Sequence, residues 1–234
     1  MNPTGTLYGV GVGPGDPELL TLKAVRVIQT VPVVAYPANS QGYSQARAIA
    51  APWLTGQREI PISMPFQTDR GPANQAYDQA ATLLREILAA GESVAVLCEG
   101  DPLFFGSFSY LYQRLADAFP GIVIPGITAI SAATAVTELS LATGHERIAI
   151  IPATAREDAI RQALTDYDSI AIIKPGRHRP RIVELLEETG RAADALYVEQ
   201  ATRQDQRIIA DLGAVPRTPG PYFALFLISR DAHS

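Results

Sequence analysis

The stretch Leu97-Cys98-Glu99-Gly100-Asp101-Pro102-Leu103-Phe104-Phe105-Gly106 decides the fold. It follows an apolar run, Ser93 to Leu97, that reads as a buried strand. It precedes Ser109 to Ala116, which reads as a helix. A Gly-Asp-Pro turn at the carboxyl end of a strand is where open α/β sheets place ligands. The same grammar occurs earlier, in Gly9-Val10-Gly11-Val12-Gly13-Pro14-Gly15-Asp16-Pro17. Two such turns in one small domain point to a ligand crevice. The competing reading is that these glycines only permit tight turns and close packing.

Outward from these turns, strands alternate with helices. Thr6 to Val12, Val31 to Tyr36, Arg58 to Ile62, Ser93 to Leu97 and Ile122 to Ile124 form a set of five strands. Asp16 can cap the helix that follows it, with Pro17 at the first helical position. Leu19, Leu20, Leu22, Ala24, Val25, Val27 and Ile28 recur at helical spacing. Tyr43 to Leu54 and Asn74 to Ala90 are further helices, and Gln67 to Ala73 is a polar loop. This alternation predicts an α/β domain with a mostly parallel five-stranded sheet. Pro125-Gly126 is the candidate hinge. Beyond it, Ala129, Ser131, Ala132, Ala133 and Ala135 make a helix of small side chains. Ile148 to Ile151, Ser169 to Ile173, Ala195 to Val198, Arg207 to Leu212 and Tyr222 to Ile228 read as strands. Ala155 to Leu164 and Arg179 to Glu188 read as helices. No helix separates the last two strands, so this second sheet is expected to be mixed. The expected domains are 1–125 and 126–234, both α/β.

The bulk properties exclude several classes. The chain has 234 residues, 47% apolar and 18% charged, as in ordinary globular proteins. No apolar run approaches the ~20 residues that span a bilayer, and Met1 to Gly5 lacks the basic head and apolar stretch of a signal peptide. Cys98 is the only cysteine, so no internal disulfide forms and the cytoplasm is the expected compartment. A net charge of -5 gives no support to nucleic-acid binding.

Known chemistries fit the glycine loop poorly. A dinucleotide fingerprint needs a third glycine where Asp16 stands, and an acidic residue after the second strand, which ends Val34-Ala35-Tyr36-Pro37. A dehydrogenase is therefore disfavoured. A phosphate-binding P-loop needs its lysine well before Lys23. The three histidines, His145, His178 and His233, lie in unrelated segments, and no Cys-x-x-Cys pair exists, so no protein-bound metal is expected. No Gly-x-Ser-x-Gly elbow supports covalent hydrolysis.

Three segments together resemble the tetrapyrrole methylase family. They are Gly9 to Thr21 (with Gly13-Pro14-Gly15-Asp16-Pro17 at the centre), Glu99-Gly100-Asp101-Pro102, and Pro125-Gly126-Ile127-Thr128-Ala129. Their order and separations fit the family across essentially the whole chain. Thr21 to Arg26, Arg47-Ala48-Ile49-Ala50, Leu97 to Phe108 and Pro221-Tyr222-Phe223 resemble the subgroup acting on precorrin-2 or its cobalt counterpart. Sister enzymes acting on uroporphyrinogen carry Tyr-Asp-Arg where this chain has Tyr36-Pro37-Ala38.

The resemblance implies the tetrapyrrole methylase fold, with S-adenosylmethionine as co-substrate held between the two domains. It implies C-methylation of precorrin-2 at C(20), giving precorrin-3A, in cobalamin synthesis, or the same step on cobalt-factor II. It also implies a homodimer. Carried over by position, the cofactor would meet Pro14, Glu99, Gly100, Asp101, Phe104, Thr128, Ala129, Lys174 and Ala201. Lys174 stands where the family often has methionine. No general base is evident; Tyr36 and Glu99 are the candidates. Arg177 and Arg179, in the basic run Arg177-His178-Arg179-Pro180-Arg181, and Arg47 are candidates for substrate carboxylates, with Arg70 as an alternative.

Each choice has a structural alternative. Asp101 can cap a helix beginning at Pro102, and Thr128 can cap the next one. Phe104 and Phe105 can be core, and the basic run can be a solvated helix start. A non-catalytic nucleotide-binding module would carry the same crevice.

Overall fold

The computed structural model describes residues 4–64 and 70–230. The chain divides into two compact units, Met1–Thr128 and Ala129–Ser234. The first contains β1 (Leu7–Gly11), α1 (Leu22–Thr30), β2 (Val33–Ala38), α2 (Gln45–Ala50), β3 (Arg58–Ser63), α3 (Arg70–Ala89), β4 (Val94–Cys98), α4 (Phe108–Leu115) and β5 (Gly121–Ile124). Its five strands are all parallel, in the order β3-β2-β4-β1-β5.

Alternation along the strands assigns each helix to a face. Val94, Val96 and Cys98 of β4 pack with Leu84 and Leu88 of α3 and Phe108, Leu111 and Leu115 of α4. Ala95 and Leu97 point the other way, onto Ala24 and Ile28 of α1 and Ala46 and Ile49 of α2. Right-handed crossovers explain the split. Connections toward the β3 edge place α1 and α2 on one face. Those toward the β5 edge place α3 and α4 on the other. The neighbouring strands β1 and β4 thus send their chains to opposite faces. That is the switch point where such sheets form a crevice. Every residue of β4 is buried, as expected for a central parallel strand.

The second unit contains α5 (Ala129–Thr137), β6 (Ile148–Pro152), α6 (Glu157–Asp166), β7 (Ser169–Ile173), α7 (Arg179–Glu188), β8 (Ala195–Glu199), β9 (Arg207–Ile209) and β10 (Ala224–Ser229). Its sheet runs β6-β7-β10-β8-β9. Only β6 and β7 pair in parallel; the other pairings are antiparallel. The mixed sheet expected from the sequence is therefore present. Ile130, Ala132 and Ala133 of α5 lie on Leu196, Val198, Leu225 and Leu227. Their small side chains bring this helix close to the sheet. Helices α6 and α7 cover the opposite face through Ile160, Leu164, Ile182 and Leu186, against Ile170, Ile172, Tyr197 and Phe226.

Several local expectations are corrected. Asp16 does not cap α1; it caps a single 3-10 turn, Pro17–Leu19, by accepting from the Glu18 amide at 2.8 Å. Thr21 caps α1 instead, accepting from the Ala24 amide at 3.1 Å. Helix α3 opens at Arg70, inside the expected polar loop. The remainder of that loop, Gln67 to Asp69, lies outside the described residues, as do the Arg70 side chain and His233. The ninth strand stops at Ile209, and a 3-10 turn, Leu212–Ala214, follows where a longer strand was expected.

Candidate functional site

At the switch point, the chains leaving β1 and β4 bond to each other. The Val12 amide donates to the Cys98 carbonyl at 2.9 Å, which prolongs the parallel ladder. One step on, Gly13 and Gly100 exchange hydrogen bonds in both directions, at 3.3 and 2.8 Å. This is an antiparallel bridge between loops whose strands are parallel. Gly100 reaches it with φ +65, a conformation that most side chains oppose.

Asp101 ties a third segment to this pair. Its Oδ1 accepts from the Leu103 and Phe104 amides at 2.9 and 3.0 Å. Its Oδ2 accepts from the Gly126 amide, just past β5, at 3.1 Å. No helix begins at Pro102; α4 starts at Phe108. The helix-cap expectation for Asp101 is therefore replaced by a turn that the carboxylate closes on itself. Gly126 packs so tightly that an added Cβ would lie 2.1 Å from the Gly100 carbonyl oxygen and 2.8 Å from Gly11 Cα. Glycine is the one residue that fits there.

This junction gathers most of the first unit's selected residues. Pro14 is buried beside it, while Glu99, Gly100, Asp101 and Thr128 are half-buried. Phe104 and Phe105 are exposed, edge to face at 5.3 Å, which overturns their reading as core. Cys98 is buried. Burial pushes its thiol far above the ordinary range, and the Glu99 and Asp101 charges add to the shift, so it is no nucleophile.

Tyr36 and Arg47 meet on a residue that the sequence did not single out, Glu59 of β3. The Tyr36 hydroxyl donates to Glu59 Oε2 at 2.8 Å. Arg47 donates through Nε to the same oxygen and through a terminal nitrogen to Oε1, each at 2.9 Å. Burial, then the Glu59 carboxylate, raises the Tyr36 pKa. That environment opposes Tyr36 acting as a base at neutral pH. The Arg47 hydrogen bond holds the Glu59 carboxyl below its usual range.

In the second unit, Lys174 follows β7 and Ala201 follows β8. Ala201 is buried between Gln200 and Thr202. Ala129 is the exposed first residue of α5. The basic run is not the solvated helix start that its composition predicts. Arg179 is 4% exposed. It pairs with buried Glu199 at 2.9 Å and donates to the Thr218 and Pro219 carbonyls. Its guanidinium also stacks over Tyr197. Arg181 donates to the Ala153 and Ala155 carbonyls. Arg177 stays exposed, and its Nε donates to His178 Nε2 at 3.1 Å. Burial, then the Arg177 and Arg181 charges, lowers the His178 pKa. Glu59 and Glu199 escaped the sequence reading because a lone glutamate in a strand carries no spacing signal.

Among the described residues, no three His, Cys, Asp or Glu side chains gather as a metal site, and no helix is long and apolar enough to cross a membrane.

The geometry is matched by comparison with known proteins. A profile described as "Tetrapyrrole (Corrin/Porphyrin) Methylases" matches residues 6–216. The "Cobalamin biosynthesis protein CobIJ" of Mycobacterium bovis is 38% identical over 97% of this chain, which spans about half (46%) of that relative's length. A "Precorrin-2 C(20)-methyltransferase" of Sinorhizobium sp is 39% identical over 96% of this chain and 95% of its own. The "Cobalt-precorrin-2 C(20)-methyltransferase" of Salmonella typhimurium is 30% identical over 97% of both. Among solved structures, a uroporphyrin-III C-methyl transferase from Thermus thermophilus, complexed with S-adenosyl homocysteine, aligns with a TM-score of 0.70. It is 25% identical, over 97% of this chain and 98% of its own. With nearly the whole sequence matched and both sheets in place, the chain belongs to the tetrapyrrole (corrin/porphyrin) methylase family.

Proposed function

We propose that this chain is an S-adenosylmethionine-dependent methyltransferase that methylates precorrin-2 at C(20), giving precorrin-3A, in cobalamin synthesis. The observation that carries the reading is the junction at the switch point, where Gly13, Gly100, Asp101 and Gly126 are locked together. Its glycines let the two loops and the end of β5 close on one another, which fixes the neighbouring residues in place. The full-length match to the Sinorhizobium relative supports the substrate. Cobalt-factor II is the second reading, supported by the lower identity to the Salmonella relative.

The family resemblance names the residues proposed to contact the co-substrate. Pro14, Glu99, Gly100, Asp101, Phe104 and Thr128 would hold it in the first unit. Ala129 and Ala201 in the second are carried by the family resemblance. When bound, S-adenosylmethionine supplies an electrophilic methyl group that an electron-rich macrocycle carbon displaces from the sulfonium.

Positioning contributes most of the acceleration. Well-oriented intramolecular reactions gain roughly 7–11 kcal/mol, and the hydrogen-bonded junction supplies the required rigidity. Asp101 acts here by holding the two loops and the end of β5 in register. Glu99 is the proposed acceptor for the proton that must leave the methylated carbon, a role worth roughly 100- to 10,000-fold. The family resemblance extends the proposal to a cytoplasmic homodimer with a small-molecule tetrapyrrole as partner.

The test is transfer of labelled methyl from S-adenosylmethionine to precorrin-2 and to its cobalt form, side by side. Faster incorporation into the metal-free substrate is expected. Binding of S-adenosyl homocysteine without incorporation into any tetrapyrrole would instead favour a non-catalytic nucleotide-binding module.

A further inference from the structure

A buried ion pair joins three segments of the second unit. Arg179 is the first residue of α7 and Glu199 the last of β8, and both are buried. Arg179 donates through one terminal nitrogen to Glu199 Oε1 at 2.9 Å and to the Tyr197 hydroxyl at 3.4 Å. Its Nε donates to the Thr218 carbonyl at 2.8 Å. Its other terminal nitrogen donates to the Thr218 hydroxyl and the Pro219 carbonyl, each at 3.3 Å. The connection leading to β10 closes onto this side chain. An added Cβ at Gly220 would lie 2.8 Å from the Tyr197 hydroxyl oxygen and 2.9 Å from an Arg179 terminal nitrogen.

Stability alone does not account for such a pair. Removing two charges from water costs much of what their attraction returns, and apolar residues often hold a core as well. A guanidinium fork with directional partners restricts conformation instead. The conformation at stake is the turn that follows Glu199. Gln200 has φ +54 and Thr202 φ +67, with Ala201 buried between them. Neither is glycine, asparagine or aspartate, the residues that visit this region readily. Such backbone persists only where its surroundings over-determine it. Here Arg179 clamps the Glu199 side chain immediately before the turn. The Gln200 amide donates to the Phe223 carbonyl at 2.8 Å, in the same connection that Arg179 holds at Thr218 and Pro219.

We infer that Arg179 is a positioning residue for the methyl-donor site. Through Glu199 and the Thr218–Pro219 backbone it holds the turn carrying Ala201, a proposed donor contact, in its strained form. Being buried, it acts through that turn and not by touching the donor. The inference deepens the proposed function and rests on it.

The experiment uses the full chain, the double variant Arg179→Met/Glu199→Met and the single variant Arg179→Lys. Melting curves report folding. Calorimetry with S-adenosyl homocysteine reports the donor site, and steady-state rates report KM against kcat. The double variant leaves no buried charge unpaired, so it is expected to fold. A turn that holds its receiving form only about a tenth of the time weakens binding about tenfold, and that is the expected loss of homocysteine-ligand affinity. KM for S-adenosylmethionine should rise by a similar factor, with kcat within about threefold, because binding and not the chemical step is affected. Arg179→Lys keeps a cation against Glu199 but loses the fork that also reaches Thr218 and Pro219, and should bind about threefold more weakly. A folded double variant that binds the homocysteine ligand within about twofold of the unmodified chain overturns the inference alone and leaves the pair a structural one. If the double variant does not fold, unchanged affinity in Arg179→Lys overturns it in the same way. An unmodified chain that binds no S-adenosyl homocysteine removes the proposed function as well.

Discussion

Asp101 Oδ2 accepts the Gly126 amide at 3.1 Å. A single side chain thereby joins the turn after β4 to the end of β5, 25 residues away in sequence. Asp101→Ala removes this acceptor and the two amide contacts within its own turn. The expected loss is about 1–3 kcal/mol, because the amides lose a charged partner. Gly126→Ala should destabilise by a similar amount, since its Cβ would collide with backbone rather than with a movable side chain. Urea unfolding measures both losses. Calorimetry should show at least about tenfold weaker S-adenosyl homocysteine binding by Gly126→Ala. Wild-type stability in that variant would contradict the close packing of Gly11, Gly100 and Gly126.

Tyr36→Phe separates a base from a structural hydroxyl. The hydroxyl donates to Glu59 and is held protonated. Methyl transfer at saturating substrate is therefore expected to stay within about threefold of the unmodified chain. Loss of a true general base would lower the rate by roughly 100-fold or more. Steady-state rates decide between these outcomes.

The Glu59 carboxyl is held below its ordinary range, chiefly by its hydrogen bond from Arg47. A carboxyl with a depressed folded pKa binds fewer protons when folded than when unfolded. Its stabilisation is therefore complete above the unfolded value and disappears as pH falls through the folded value. Glu59→Gln should flatten the acid limb of the stability curve between about pH 5 and pH 3. Denaturant midpoints across that window measure the change. An acid limb as steep as before would mean that the ion pair does not persist in solution.

Arg179 and Glu199 are both nearly fully buried. Arg179→Met strands a carboxylate whose remaining cation among the described residues is exposed Arg207, at 3.6 Å. The expected cost is about 3–5 kcal/mol. The double variant Arg179→Met/Glu199→Met should recover much of that loss, because no buried charge is then left unpaired. A double variant no more stable than the single one would assign the loss to the Thr218 and Pro219 contacts instead.

Much of the architecture was legible in the chain. Val94 to Cys98 is continuously apolar because β4 is buried on both faces. The run of small residues after Pro125-Gly126 announced α5 as a helix. The two Gly-rich turns marked the switch point, since a parallel sheet needs tight backbone there. The boundaries of α3 and of the ninth strand were not legible, because element ends depend on packing as much as on propensity.

The sequence by itself determined two α/β units, the alternation of strands with helices and the position of the glycine turns, because periodicity and backbone freedom are local properties. The tertiary structure alone decided that β4 inserts between β2 and β1. It also decided that Asp101 reaches Gly126 rather than a helix, that Glu59 holds both Tyr36 and Arg47, and that Arg179 turns inward to Glu199. Each of those facts joins residues far apart along the chain. A charged or polar side chain takes its partner from whatever the fold brings within about 3 Å, and no sequence spacing encodes that choice.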